Sequence, residues 1–244
     1  MAISPILPYR VIRNNFITSN VIHMDCVPVE GERPMFKAGQ FMMLHWRDAV
    51  GKLIDKPHSF SIASAPDMPG FSFAIKIYGP YTTRLSKELP VGSTVHLQGP
   101  FGLFTLEKIL DGRVVLLAGG VGIAPFRGFL YDEMASGHPT ERRFHILYSN
   151  KTKTTFPYKA ELDALADQYS DRLRIDYTVT QELDDPSWTG QRGRWDAAKI
   201  CETVEDFAAA QYFVCGPPAF VSEMQEQLTK LGVPKEKVKI EKFT

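Results

Sequence analysis

Four short segments hold residues whose types and spacing suit the binding of nucleotides and flat ring cofactors. Ala118-Gly-Gly-Val-Gly-Ile-Ala-Pro125 contains Gly119, Gly120, Val121 and Gly122 between an apolar run and a helical one. Glycines let the backbone turn sharply, and the free N–H groups of a helix start favour a pyrophosphate. Pro125 suits a first helical turn, where its missing N–H would have had no partner. Cys215-Gly-Pro-Pro218, with Gly216 and Pro217, follows another apolar run; a small polarisable thiol there can lie against a nicotinamide ring, or serve only as packing. His58-Ser-Phe-Ser61 offers a ring (Phe60), two hydroxyls (Ser59, Ser61) and a potential cation. On a strand, Phe60 and Ser61 point to opposite faces. Gly79-Pro-Tyr-Thr-Thr-Arg-Leu85 places Gly79, Thr82 and Thr83 ahead of a helix, as a phosphate cradle or as a plain cap. Each segment alone also reads as an ordinary turn, strand or cap.

The elements around these segments follow two grammars. Up to about residue 108 short strands alternate with turns: Gln40–Trp46 after Gly39, Phe71–Ile77 with Phe71, Phe73, Ile75 and Ile77 on one face, and Val95 and Leu97 before Gly99. Period-two alternation between Gly and Pro predicts half-buried antiparallel strands of a small barrel or sandwich. A short helix is expected at Thr83–Glu88. Beyond Gly112, buried strands at Val114–Ala118, Phe144–Tyr148, Leu173–Val179 and Gln211–Cys215 alternate with helices at Pro125–Met134, Tyr158–Tyr169 and Pro218–Leu231, and Val238–Ile240 adds a last strand. That alternation predicts an open, mostly parallel α/β sheet. The expected fold is a β domain over residues 1–110 followed by an α/β nucleotide-binding domain over 111–244.

Bulk composition narrows the function classes. The 244 residues carry 28 Lys+Arg against 28 Asp+Glu, so no global field draws the chain to nucleic acid. No stretch approaches the ~20 apolar residues of a membrane span. Cys26, Cys201 and Cys215 form no CxxC pair, too few thiols for a Cys-ligated iron–sulfur cluster. MAISPILPYR has no secretory pattern, and cytoplasmic residence is expected. The histidines at 23, 45, 58, 96, 138 and 145 have no metal-ligand spacing, and no metal site is expected.

Taken in order, the four segments resemble the ferredoxin–NADP reductase superfamily, in its single-flavin form without an iron–sulfur domain. The resemblance spans nearly the whole chain. It implies an antiparallel six-stranded flavin barrel followed by a parallel-sheet NAD(P)-binding domain. The family's Arg-x-Tyr-Ser stands here as His58, Ser59, Phe60 and Ser61, so Ser61 inherits the hydrogen bond to flavin N5, and Phe60 keeps the ring. His58 departs from the family's arginine, since an imidazole lacks the bidentate, permanent charge of a guanidinium; Lys56 and Arg84 are candidate substitutes. Ile75, Lys76 and Ile77 match the stretch beside the ribityl chain, and Gly79, Thr82 and Thr83 the phosphate loop. Gly119, Gly120, Val121, Gly122 and Pro125 match the nicotinamide-cofactor loop. Cys215, Gly216 and Pro217 match the motif beside the nicotinamide, and Phe243 matches loosely a terminal aromatic near the flavin.

The activity so implied is NAD(P)H oxidation through FAD, with FMN as the alternative flavin, and delivery of electrons to a separate protein. That acceptor would be a ferredoxin, an oxygenase component, or a haem or iron–sulfur subunit. Ser61 and Cys215 are the residues expected at the reacting rings. Ser149, Lys151 and Lys153 stand where relatives meet the adenosine ribose; they offer cations for the 2′-phosphate of NADPH, or are solvated lysines. Three other readings stay open: a free-flavin reductase, an electron-transfer subunit of a larger redox complex, and a nucleotide-binding module without flavin.

Overall fold

The computed structural model describes residues 4–48, 50–109, 111–134 and 141–243; His138 lies outside them. The chain forms two compact units. One comprises Met1–Leu106 and Ala124–Gly137, the other Glu107–Ile123 and His138–Thr244.

The first unit is built on six strands: β1 (Ile6–Thr18), β2 (Val21–Pro28), β3 (Phe41–His45), β4 (His58–Ser61), β5 (Phe71–Lys76) and β6 (Thr94–Phe101), with helix α1 (Gly79–Glu88) between the last two. They pair antiparallel in the order β4-β3-β6-β1-β2-β5. The two edge strands meet through an Ile62–Phe73 bridge and an Ala63 N–H bond to the Ser72 carbonyl of 2.8 Å, which turns the sheet back on itself. Alternation puts Tyr9, Val11, Met24, Phe71, Phe73, Val95 and Leu97 inside, and Tyr81 and Leu85 of α1 join that core. The helix expected at Thr83 begins earlier, at Gly79, because Pro80 falls in the first turn where no N–H is needed. Strand β1 is longer than the turn-rich sequence suggested, and it holds β2 on one side and β6 on the other. Helix α2 (Ala124–Met134) also belongs to this unit. Its Phe126 and Phe129 rings pack on Phe104, each 6.0 Å away, and the Arg127 guanidinium donates to the Ala63 carbonyl at 2.7 Å.

The second unit is a parallel sheet of β7 (Arg113–Gly119), β8 (Arg143–Asn150), β9 (Leu173–Val179), β10 (Gln191–Arg192), β11 (Gln211–Gly216) and β12 (Val238–Lys242). Helices α3 (Lys159–Gln168), α4 (Ala197–Thr203) and α5 (Pro218–Lys230) connect the strands. The order is β10-β9-β8-β7-β11-β12. Val114, Val115, Leu116 and Leu117 of β7 are all fully buried. Water is excluded from both faces of that strand, each side chain contributing about 1.5–3 kcal/mol. From β7 the chain moves outward to β8 on one side and returns to β11 on the other. Such a reversal leaves a crevice outside the carboxyl ends of the two strands. Among the described residues no helix is long and apolar enough to cross a membrane.

Candidate functional site

In the barrel, β4 is an edge strand whose residues alternate as expected. Its register sets Phe60 opposite Met42 and His58 opposite Leu44, so these two side chains share the core-side face. Phe60 is half-buried against the core, and its ring lies 6.4 Å from that of Phe73. Ser59 and Ser61 take the other face, Ser59 exposed and Ser61 buried. The His58 imidazole stacks on Tyr81 of α1, centroids 3.8 Å apart, and its Nε2 lies 3.4 Å from an Asp55 carboxylate oxygen. Of the two candidate substitutes, Arg84 pairs with Glu88 at 2.7 Å and lies over the Trp46 ring, while Lys56 is exposed.

Ile75 faces the core, leaving the β5 backbone and Lys76 outward; Ile77 is half-buried. Helix α1 starts without a side-chain cap and without an acidic residue in its first turn. The Thr82 hydroxyl accepts from the Tyr78 N–H at 2.7 Å and donates to the Tyr78 carbonyl at 2.8 Å, while Thr83 donates to the Gly79 carbonyl at 2.8 Å. Both threonines therefore brace the turn, and the donors left for an anion are first-turn amides. Gly79 sits at φ +79° with open space where a Cβ would be. The Tyr81 hydroxyl is buried without a hydrogen-bond partner. An uncapped helix start, an edge strand with a half-buried ring, and an unsatisfied buried hydroxyl fit a phosphate-bearing planar cofactor.

In the α/β unit the glycine loop and the cysteine motif come together. β7 and β11 are neighbours, with Ala118 beside Cys215. Gly119 ends β7, and Gly120–Ile123 forms one 3-10 turn. A Cβ on Gly122 would lie 2.1 Å from the Cys215 carbonyl oxygen, so only glycine allows this approach. A Cβ on Gly119 would strike the Phe220 ring at 2.8 Å. The Tyr148 hydroxyl donates to the Gly120 carbonyl at 3.0 Å and holds the loop from β8. Val121 is half-buried, and Pro125 falls in the first turn of α2. Cys215 is fully buried, and burial with the nearby Glu241 carboxylate holds its thiol well above the ordinary range. It is a neutral thiol, not a poised nucleophile. Gly216 accepts from the Phe243 N–H at 3.2 Å, and Pro217 is exposed. Ser149 is buried beside Gly119 in the β7–β8 register. Lys151 is exposed. Lys153 is engaged by Asp185 at 2.7 Å. Among the described residues no cluster of His, Cys, Asp and Glu is arranged to hold a metal.

Tyr81, Tyr148, Phe220 and Asp55 are the site neighbours that sequence spacing missed. Tyr148 and Phe220 act through contacts that the local pattern does not encode. For Tyr81 a signal existed, an aromatic between the glycine and the threonines of its loop.

Comparison with known proteins adds an independent line. The profile of the oxidoreductase NAD-binding domain matches residues 116–226. Ferredoxin–NADP reductase B of Sorangium cellulosum is 31% identical over 223 residues, 88% of either chain. The reductase component of propane 2-monooxygenase from Rhodococcus jostii is 29% identical over 96% of this chain and 63% of its own. Among solved structures, flavohemoglobin from Malassezia yamatoensis, with bound FAD and heme, superposes with a TM-score of 0.83 at 27% identity. It covers 98% of this chain, which spans 60% of that protein.

Proposed function

This chain belongs to the ferredoxin–NADP reductase family, and from that membership we propose that it oxidises NAD(P)H through FAD and passes the electrons to a separate redox protein. The observation that carries the reading is the meeting of the glycine loop with Cys215-Gly216 at the strand reversal, where Gly122 leaves no room for a side chain. Residues 1–110 serve as the flavin domain and residues 111–244 as the NAD(P) domain.

Flavin, when bound, supplies hydride acceptance and the splitting of an electron pair into single electrons. The chain's part is to hold and orient. First-turn amides of α1 would bind the flavin phosphate, with Thr82 and Thr83 keeping that turn in shape and Gly79 giving it access. Phe60 would pack on the flavin ring, Ser61 would hydrogen-bond it, and the β5 backbone from Ile75 to Ile77, with Lys76, would hold the ribityl chain. Ser59 and His58 complete the edge-strand surface. For the nicotinamide coenzyme, Gly119, Gly120, Val121, Gly122 and Pro125 seat the pyrophosphate. Cys215, Gly216 and Pro217 position the nicotinamide, with Phe243 beside them. Ser149 and Lys151 face the adenosine end. No side chain need act as nucleophile, since orientation is what the reaction asks of the protein.

The acceptor is of the kind its relatives' names describe, a ferredoxin or an oxygenase component. The cytoplasm is the proposed location, in keeping with three free cysteines. The visible spectrum of the purified protein, followed by anaerobic addition of NADPH and then NADH, tests the reading. A flavin spectrum bleached by a nicotinamide coenzyme is expected; no flavin bound or reduced, even with added FAD, would refute it.

One observation favours a second reading. His58, in place of a guanidinium, is shared between the Tyr81 ring and Asp55, which weakens its hold on a phosphate. A free-flavin reductase would be colourless as purified and would turn over only with added FAD or FMN.

A further inference from the structure

Gly120, in the middle of the glycine loop, sits at φ +56°, in the left-handed region, and a Cβ there would meet open space. It is a glycine for the handedness of its backbone and not for lack of room. A glycine left to itself visits both hands about equally. Something must hold this one still.

Tyr148 does so. β8 runs beside β7 with Tyr148 next to Ala118. The side chain is fully buried, and its ring packs edge-on against Phe156 at 4.9 Å and tilted against Tyr177 at 5.9 Å. Its hydroxyl donates to the Gly120 carbonyl at 3.0 Å and reaches the Pro157 carbonyl at 3.3 Å. A phenol carries a single proton, so the two carbonyls share it in a three-centre bond. Burial, with Tyr177 and Tyr158 close by, pushes this hydroxyl well above the ordinary tyrosine range and keeps it a donor. The second acceptor precedes Tyr158, a bulky residue at φ 62°, ψ 13°, whose carbonyl accepts the Leu162 N–H at 2.9 Å as α3 begins. A residue of that size takes up a left-handed backbone only where its surroundings compel it. One proton thereby ties the glycine loop to the entry of α3.

The Gly120–Val121 peptide is trans, and in a planar trans peptide the C=O and the N–H point in opposite directions. With the Gly120 carbonyl turned to Tyr148, the Val121 N–H points away from it. Val121 stands in the first turn of the 3-10 segment, where an amide has no partner within the helix.

We propose that Tyr148 is a positioning residue for the coenzyme: its hydroxyl fixes the Gly120–Val121 peptide so that the Val121 amide faces the pyrophosphate before the coenzyme arrives. The proposal rests on the dinucleotide reading of the glycine loop. A peptide already turned needs no reordering on binding, and the gain appears as affinity.

Tyr148→Phe keeps the ring and its packing and removes only the donor. Titration calorimetry with NAD+ and NADP+ should show whichever the native chain binds weakened by about tenfold, the size of one lost hydrogen bond in a buried setting. Flavin content should be unchanged, and in turnover KM for the coenzyme should rise by the same factor while kcat holds. A hydroxyl that merely satisfied two buried carbonyls would lower the melting temperature and leave the dissociation constants native. That result would overturn the proposal, as would a loss in kcat at unchanged KM. If the variant does not fold, the native chain decides: its Val121 amide proton resonance should move downfield as the coenzyme is added, and a resonance that stays in place would overturn the proposal equally. A native chain that binds neither nucleotide would instead refute the dinucleotide reading itself.

Discussion

In the proposed flavin site His58 takes the place of an arginine that would grip a phosphate with two parallel bonds. An imidazole stacked on Tyr81 and drawn to Asp55 supplies at most one. His58→Arg should therefore tighten flavin binding by about tenfold or more, as expected for a restored charge-assisted pair. Fluorescence titration of the flavin-free protein with FAD measures this, and equal dissociation constants would count against a phosphate near residue 58. In the α/β unit the sharpest constraint is Gly122. Gly122→Ala puts a methyl carbon 2.1 Å from the Cys215 carbonyl. Two backbones must then part, at a cost of about 1–3 kcal/mol, and nucleotide binding should fail with them. Thermal melts with and without NAD+ separate the two effects. The glycine loop and Cys215 were legible because turn chemistry and strand patterning are local. Tyr148, Phe220 and Tyr81 were not, since a hydroxyl meeting a carbonyl 28 positions away leaves no mark on sequence spacing.

The same contrast holds for elements. β7 declared itself as an uninterrupted apolar run, β8, β9 and β11 by their alternation with helices, and α5 by its flanking Pro and Gly, because burial on both faces of β7 and helix termination both act over a few residues. β1 was obscured. Pro8 and the pair Asn14-Asn15 interrupt its alternation, and the register shifts between Val11 and Arg13 and again between Phe16 and Thr18. A strand held on both sides by neighbours tolerates such breaks, which weaken its pattern but not its pairing. α4 is only seven residues long, too short for a clear period, yet its start carries a legible cap: the Asp196 carboxylate accepts the Lys199 N–H at 2.9 Å. Asp196→Ala should cost about 1 kcal/mol, seen as a lower urea midpoint with an unchanged slope. No shift in midpoint would mean that packing of Ile200 alone sustains the helix.

For the molecule as a whole, two carboxylates tie stability to acidity. Burial raises the Asp25 carboxyl, but hydrogen bonds from His23 and Ser72 more than offset it and leave its pKa below the ordinary 3.8. Asp176, held by His145 and Arg174, is lowered in the same way. The folded state binds fewer protons at these sites than the unfolded chain, so their contribution is complete above about pH 4 and is lost as pH falls through the lowered folded values. Asp25→Asn should flatten the acid limb of a plot of stability against pH, and an unaltered limb would assign acid unfolding elsewhere. The whole-chain pattern of β strands followed by alternating strands and helices was readable from periodicity, but the packing of α2 with the barrel's unit was not. Its Phe126 and Phe129 find Phe104 only in three dimensions. The three sulfhydryls give each half its own clock. Cys201 is open to solvent, whereas Cys26 is sealed in the barrel and Cys215 in the parallel sheet. A pulse of alkylating reagent should mark the first at once and the other two only as their surroundings open, so mass spectrometry of the tagged peptides would time the breathing of the two halves separately. If all three were tagged at one rate, neither enclosure would be tight.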